Sequence, residues 1–280
     1  MSLISTLSSI VTTAETSQIS PAERFWRYGI YGYVESASGA TESGIVLIFA
    51  AFAVFCAIAA YLLGSISSAI IISKIVYHDD IRKHGSGNAG TTNMLRTYGK
   101  GAALATLICD ITKTALALAI GGVMLGFSYI GGVSVNFMMY VVGLFAVLGH
   151  IFPVYYGMRG GKGVLSTATV ALILSPGVFA LLFIVFVAVV AISKYVSLGS
   201  VCAAVLYPVV LNAYFQIFLG GPMPGIAALV TIILAITIVW CHRQNLRRIS
   251  ERTEHKLSFK KKSDDGESGD AKDVGDGDDE

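Results

Sequence analysis

Charge is scarce in this sequence. Asp, Glu, Lys and Arg make up 14% of its 280 residues, while 54% are hydrophobic. Soluble domains usually carry about 25% charged residues, so a water-facing shell around one core is excluded. Proline is rare too, with six in the chain. Inside the long apolar runs only Pro153 and Pro208 fall, so most of those runs are left without helix breakers. The four cysteines, Cys56, Cys109, Cys202 and Cys241, fall within or at the ends of apolar runs, none with metal-type spacing. That pattern reads as core packing and argues against a zinc site. No internal repeat marks an inverted-topology transporter. The first forty residues lack the cationic start of a secretory signal.

What is there is membrane. Apolar runs recur at 45–73, 102–127, 135–156, 164–175, 178–192, 196–219 and 225–240. A helix crosses the hydrocarbon with about 20 apolar residues, so most of these runs can span alone. The fourth and fifth are short and meet at Pro176-Gly177, as two tight antiparallel helices or one kinked one. The sequence predicts an all-α, polytopic integral membrane protein with about seven transmembrane helices, six as the fallback.

The formal net charge of +2 averages two unlike regions. Residues 263–280 hold nine of the eighteen acidic residues and a single basic one, Lys272. The remainder is clearly basic. Basic connections (74–100, 157–163, Lys194 and 243–262) alternate with uncharged ones (128–134 and 220–224). Positive-inside bias then puts the N-terminus outside and the C-terminus in the cytoplasm. Residues 1–44 read as an N-terminal extension whose aromatic patch, FWRYGIYGYV (25–34), suits the outer headgroup level. Residues 45–256 form the transmembrane domain, and 257–280 a basic-then-acidic tail expected to be disordered.

On this topology every unusual polar stretch lands on the inner face. In HGSGNAGTTN (84–93), Gly85, Gly87 and Gly90 let the backbone aim several N–H groups into one concavity. Ser86, Asn88, Thr91, Thr92 and Asn93 add hydroxyl and amide donors. Arg82, Lys83 and Arg96 add positive charge, and a guanidinium can hold an oxyanion through two parallel hydrogen bonds. Such a loop suits a phosphate, although a flexible basic loop touching headgroups has a similar composition.

The second stretch is GHIFPVYYGMRGGKGV (149–164). Its Gly161, Lys162 and Gly163 let backbone amides and one ammonium approach an anion, with His150 at the preceding helix end. It is not a Walker A loop, because Tyr156 takes the first glycine position and Gly163 the magnesium-binding Ser/Thr position. Nucleotide hydrolysis is disfavoured. Asp110 and Lys113 lie three apart on one helical face, as a neutralising pair or with Lys113 facing a polar cavity. In HRQNLRRISERTE (242–254), His242, Asn245 and Arg248 recur at one-turn spacing, followed by Glu254. A basic helix resting on anionic lipid has the same spacing.

Together, in this order, these stretches resemble the bacterial acyl-phosphate-dependent glycerol-3-phosphate acyltransferases, the PlsY family. GSIS (64–67), DIRKHGSGNAGTTNMLRTYG (80–99), DITK (110–113) and SLGS (197–200) also match, so the resemblance covers roughly 45–254. Departures are Ser67 for a usual proline, Met158 for an aromatic, Thr114 and Arg252 for glycines, and Cys241 for an arginine.

The resemblance implies transfer of a fatty acyl group from acyl phosphate to the sn-1 hydroxyl of glycerol 3-phosphate, giving lysophosphatidic acid and phosphate. It implies a multi-pass protein of the bacterial inner membrane, active on its cytoplasmic face. No cofactor, metal or nucleic acid is expected, and the protein is expected to be a monomer. Ser86, Arg96 and His242 become the catalytic candidates. Arg82, Gly85, Gly87, Asn88, Thr91, Asn93, Lys113, His150, Gly161, Lys162, Gly163 and Asn245 become the substrate-binding ones. Asp110, Arg248 and Glu254 are assigned orienting roles. His242 either grips the acceptor phosphate, the favoured role, or acts as general base. The alternative function is a transporter of a phosphate-containing metabolite. A thioester-dependent HxxxxD acyltransferase is excluded, since none of the five histidines has an aspartate five positions on.

Overall fold

The structure, a computed structural model, describes residues 20–39, 41–126, 129–130, 133–134 and 137–256. The acidic tail and residues 1–19 of the extension lie outside the described residues. Eleven α-helices are present among those described: α1 (Pro21–Ser38), α2 (Glu42–Gly64), α3 (Ser68–Val76), α4 (Thr91–Tyr98), α5 (Lys100–Leu125) and α6 (Phe137–Ile151), then α7 (Val164–Leu174), α8 (Pro176–Ser193), α9 (Val196–Phe218), α10 (Gly225–Cys241) and α11 (Arg243–Ser250). Two 3-10 turns, Ile81–Lys83 and Val154–Tyr156, punctuate the polar loops. A two-residue antiparallel ladder pairs Tyr129 with Ser134 and Ile130 with Val133.

Among the described residues each apolar run of the sequence carries helix, but the helices differ in reach. Among the described residues, Ser43–Val76, Lys100–Leu125, Phe137–Tyr156, Pro176–Ser193 and Val196–Phe218 are long and apolar enough to cross a bilayer. Gly225–Cys241 makes a sixth if counted with Arg243–Ser250, from which it is bent by 52°. The fourth run yields only α7, eleven residues long. At a rise of 1.5 Å per residue it reaches about 16 Å, roughly half the hydrocarbon. The expected count of seven therefore meets five or six helices of spanning length plus one short one. Ser175 (φ −154°, ψ 70°) breaks the chain after α7, and Pro176 starts α8 from a position where its missing N–H costs nothing.

Close backbone contact organises the bundle. A side-chain carbon on Gly64 of α2 would strike the Ala146 carbonyl of α6, and one on Gly149 of α6 would strike the Tyr61 carbonyl. Small residues at these two crossings let the helices approach where lipid offers no hydrophobic drive. Around that seam Tyr140, Val147, Leu118 and Val170 form a fully buried core. At one end of the bundle, α1 lies against the end of α5 and the start of α2. Its Tyr31 ring meets Phe49 and Phe52 edge-on, at centroid distances of 5.3 and 6.0 Å. The opposite end gathers the starts of α4, α5 and α7 and the end of α10, and there the polar stretches come together.

Candidate active site

The first glycine loop is built around Asn93. This buried amide accepts from the Ser86 N–H (3.0 Å) and donates to the carbonyls of Ile81 (3.2 Å) and His84 (2.9 Å). A loop of this curvature needs left-handed backbone, and Gly85 (φ 55°) and Gly87 (φ 68°) provide it. A side chain at Gly85 would also collide with the Asn93 amide oxygen. Arg82 clamps the loop from outside: it holds Asp80 through two nitrogens and donates to the Tyr156 carbonyl at 2.8 Å. These contacts turn Ser86, Asn88 and Thr91 toward a shared cavity and open the N-terminus of α4 beside them.

In the second loop, Gly161 lies against the His150 imidazole, where a side chain would clash with Nε2, and its N–H donates to the His150 carbonyl at 3.0 Å. His150 is held in turn by Lys113, whose Nζ contacts its Nδ1 at 3.1 Å, the Ile66 carbonyl at 2.7 Å and Asp110 at 2.9 Å. Ser68 completes the cluster by donating to Asp110 at 3.0 Å. Beyond it Lys162 enters the cavity, and Gly163 (φ 79°) caps α7, whose first N–H groups face the same space.

The C-terminal stretch supplies the third wall. The chain bends at His242, where the apolar α10 ends and the polar α11 begins. His242 Nδ1 lies 2.8 Å from the Ile238 carbonyl. A carbonyl can only accept, so Nδ1 carries the proton and Nε2 is left with its lone pair. Burial, and then the Lys162 ammonium, push its pKa down to about 4, so the imidazole is neutral at pH 7. Asn245 accepts from Lys162 Nζ and donates to Glu254 at 2.7 Å. Glu254 also accepts from Ser197 (3.1 Å) and Arg248 (2.7 Å). Burial opposes its charge, but these three hydrogen bonds outweigh that and hold its pKa below the ordinary value.

All three stretches open onto one cavity of about 500 Å³. Its mouth carries Ser86, Asn88, Thr91, Arg96, Lys162, His242 and Asn245, while Leu107, Ile111, Ala168, Phe179, Leu182 and Phe183 line the part that runs into the bundle. The mouth is cationic. Arg96 makes no ion pair among the described residues, and Glu254 is already engaged by Arg248. Lys162 is pushed down to about 8, chiefly by burial and also by Arg248 and Arg96, with Glu254 opposing. Two helix N-termini, those of α4 and α7, add partial positive charge to the same volume. Anion binding at the mouth and apolar packing behind it follow from this arrangement.

Several expected ligand-binding residues hold the site rather than face it. Arg82, Gly85, Gly87, Lys113 and Gly161 lie off the cavity wall, because Arg82 and Lys113 are fully engaged and the glycines act through backbone shape. Asn93 reaches the cavity, but its amide is committed to the loop backbone. His150 and Asp110 line it at their edges while anchoring the second loop. Asp110 contacts Lys113 and Ser68, and Arg248 and Glu254 contact each other.

The glycerol-3-phosphate acyltransferase family matches this chain over residues 54–252, and those residues include all three walls except Glu254. The chain belongs to that family. Glycerol-3-phosphate acyltransferases from Bacillus cereus and Syntrophomonas wolfei are 41% and 37% identical to it. The first covers 73% of this chain and 95% of its own length, the second 71% and 94%. Among solved structures, the integral membrane glycerol 3-phosphate acyltransferase PlsY (YgiH) in its glycerol 3-phosphate form aligns with a TM-score of 0.63 at 32% identity. That alignment covers 74% of this chain and 96% of the other. The lysophosphatidic acid form of the same enzyme gives 0.61 at 31%, over 74% and 95%. The apolar wall behind the mouth draws mostly on residues beyond the quoted motifs. Ser197, Ser200, Ala204 and Tyr207 of α9 are spaced three, four and three apart on one face, but that spacing also describes ordinary helix packing.

Proposed function

We propose that this protein transfers a fatty acyl group from acyl phosphate to the sn-1 hydroxyl of glycerol 3-phosphate, releasing lysophosphatidic acid and inorganic phosphate. The observation that carries this reading is the single cavity that joins a cationic, amide-rich mouth to an apolar interior. A reaction with two phosphates and one long chain needs both in continuity. The glycerol 3-phosphate and lysophosphatidic acid named for the related PlsY structures support the same reading.

Acyl phosphate is a mixed anhydride, so no further activation is required. In the proposed arrangement Arg96 and the N-terminus of α4, with Ser86, Asn88 and Thr91, cradle one phosphate. Lys162 and the N-terminus of α7 hold the other, with Asn245 fixing the ammonium. The acyl carbonyl then sits where the polar mouth meets the apolar wall. The sn-1 oxygen forms the new ester bond, the acyl C–O(P) bond breaks, and the electron pair departs with phosphate. The hydroxyl proton goes to His242 Nε2 or to a phosphate oxygen of the substrate. A neutral imidazole with its lone pair on Nε2 favours the proton-accepting role over the grip on phosphate first expected of His242. Ser86 acts as a hydrogen-bond donor and not as an acylated nucleophile, since no base among the described residues is hydrogen-bonded to its hydroxyl. The rest is alignment and charge stabilisation.

The proposed topology has seven membrane helices, with α7 and α8 as an antiparallel pair, the N-terminus outside and the mouth on the cytoplasmic face of the inner membrane. One chain supplies every residue of this site, so a monomer suffices. Transport of a phosphorylated metabolite would need polar groups continuing through the bundle, whereas the inner part of this cavity is apolar. Purified protein offered palmitoyl phosphate, palmitoyl-CoA and palmitoyl carrier protein, each with glycerol 3-phosphate, tests the reaction. Efficient turnover with acyl phosphate alone, unaffected by EDTA, is expected. Comparable rates with the CoA thioester would overturn it.

A further inference from the structure

The apolar cavity has a definite bottom. Its innermost wall residues are Leu172 on α7, Phe179 on α8 and Tyr207 on α9. One to four residues further, Val178, Leu174 and Leu211 are fully buried and no longer touch the cavity. Tyr207 is the largest of the innermost residues that are sealed from solvent, with 1% of its surface exposed. It sits immediately before Pro208, which cannot donate to the Ala204 carbonyl and loosens α9 at this level. Its hydroxyl lies beside the Ser175 hydroxyl on the neighbouring segment. The Ser175 hydroxyl itself donates to the Ala171 carbonyl, at 3.2 Å.

We propose that Tyr207 is the floor of the acyl pocket and sets the longest chain the pocket takes in full. This rests on the acyltransferase reading. From Ser197, at the level of the catalytic mouth, to Tyr207 is ten residues of helix, or about 15 Å. An extended chain advances roughly 1.3 Å per C–C bond, which allows about a dozen bonds before the terminal methyl meets the ring. Up to that point each added methylene is buried, and at about 0.8 kcal/mol per methylene kcat/KM rises roughly fourfold per carbon. Beyond it, added carbons are not buried, and the rise stops. A plot of log kcat/KM against chain length therefore has a break, and the floor fixes where it falls.

The test is that plot for an even-numbered series of acyl phosphates at saturating glycerol 3-phosphate, with wild type, Tyr207→Phe, Tyr207→Ala and Ala204→Leu. Tyr207→Phe keeps the break in place. Tyr207→Ala moves it to chains longer by roughly two to four carbons. Ala204 lines the cavity three residues nearer the mouth, so Ala204→Leu moves the break to shorter chains. If Tyr207→Ala does not fold, Ala204→Leu together with Tyr207→Phe still decides. A break that stays fixed in every folded variant overturns the proposal. It would mean that the chain leaves sideways past Leu172 and Phe183, which are 43% and 52% exposed. If wild type turns over no acyl phosphate of any length, the acyltransferase reading fails first, and that result is distinct from an immovable break.

Discussion

Raising the pH through about 8 should weaken the grip on glycerol 3-phosphate, and Lys162→Ala should remove that dependence. Lys162 is a cation of the mouth that loses its charge in an accessible range. Burial and the neighbouring guanidiniums of Arg248 and Arg96 favour its neutral form, and its pKa falls to about 8. The sign follows from the charge: below that value the ammonium is present and attracts phosphate, and above it the amine is neutral. Because kcat/KM reports the free enzyme, it should fall by about tenfold per pH unit beyond 8. The acceptor phosphate gains its second charge near pH 6, so any rising limb there belongs to the substrate and will survive mutation.

The size of the mutational effect can be worked from the contact that is lost. A hydrogen bond to a charged group contributes about 1.5–3 kcal/mol, or roughly 10- to 150-fold in kcat/KM at pH 7. The assay varies glycerol 3-phosphate at saturating acyl phosphate between pH 5.5 and about 9.5, within the stability of the donor. Lys162→Ala should be lower throughout and flat above pH 7. Lys162→Arg should be flat as well, because its charge does not titrate in this range. A wild-type descending limb that persists unchanged in Lys162→Ala would refute the assignment and move the titrating group elsewhere.

His242→Gln separates gripping from proton transfer. As the proton acceptor, its loss should lower turnover by roughly 100-fold at saturating acceptor, whereas a rise in KM with turnover spared would restore the gripping role. Asp110→Ala should destabilise the folded protein by about 3–5 kcal/mol, because the buried Lys113 ammonium loses its counter-charge. Thermal unfolding in detergent measures this, and pairing the change with Lys113→Met should recover much of the loss; no recovery would deny the ion pair its part. For topology, cysteines introduced at 87, 161 and 247 in a cysteine-free background should label only from the cytoplasmic side, and those at 30 and 131 only from outside. An outward-facing 161 would break the alternation on which the orientation depends.

Much of the site was legible because its chemistry is written locally. Glycines interleaved with donors and cations announce a backbone that must turn around an anion, and Gly85, Gly87 and Gly163 occupy left-handed positions as that pattern requires. The seven apolar runs likewise marked where helices form. Helix length was less legible, since α7 ends at a break that composition near Pro176 hints at but does not measure.

The roles of individual polar residues were the least legible, and the reason is physical. Asn93 and Arg96 stand three apart in the same polar stretch and both are strong donors, so composition assigns both to a ligand. In the folded chain Asn93 points back and satisfies three backbone groups that would otherwise be buried unpaired, while Arg96 is left without an ion pair among the described residues. The same division separates Lys113 from Lys162. One ammonium is closed in by Asp110, His150 and the Ile66 carbonyl, and the other is held at the cavity by Asn245. A loop that presents some donors to a substrate must commit others to its own backbone, because each polar group it buries needs a partner. Which donor does which depends on how residues far apart in the chain meet, and no local spacing records that.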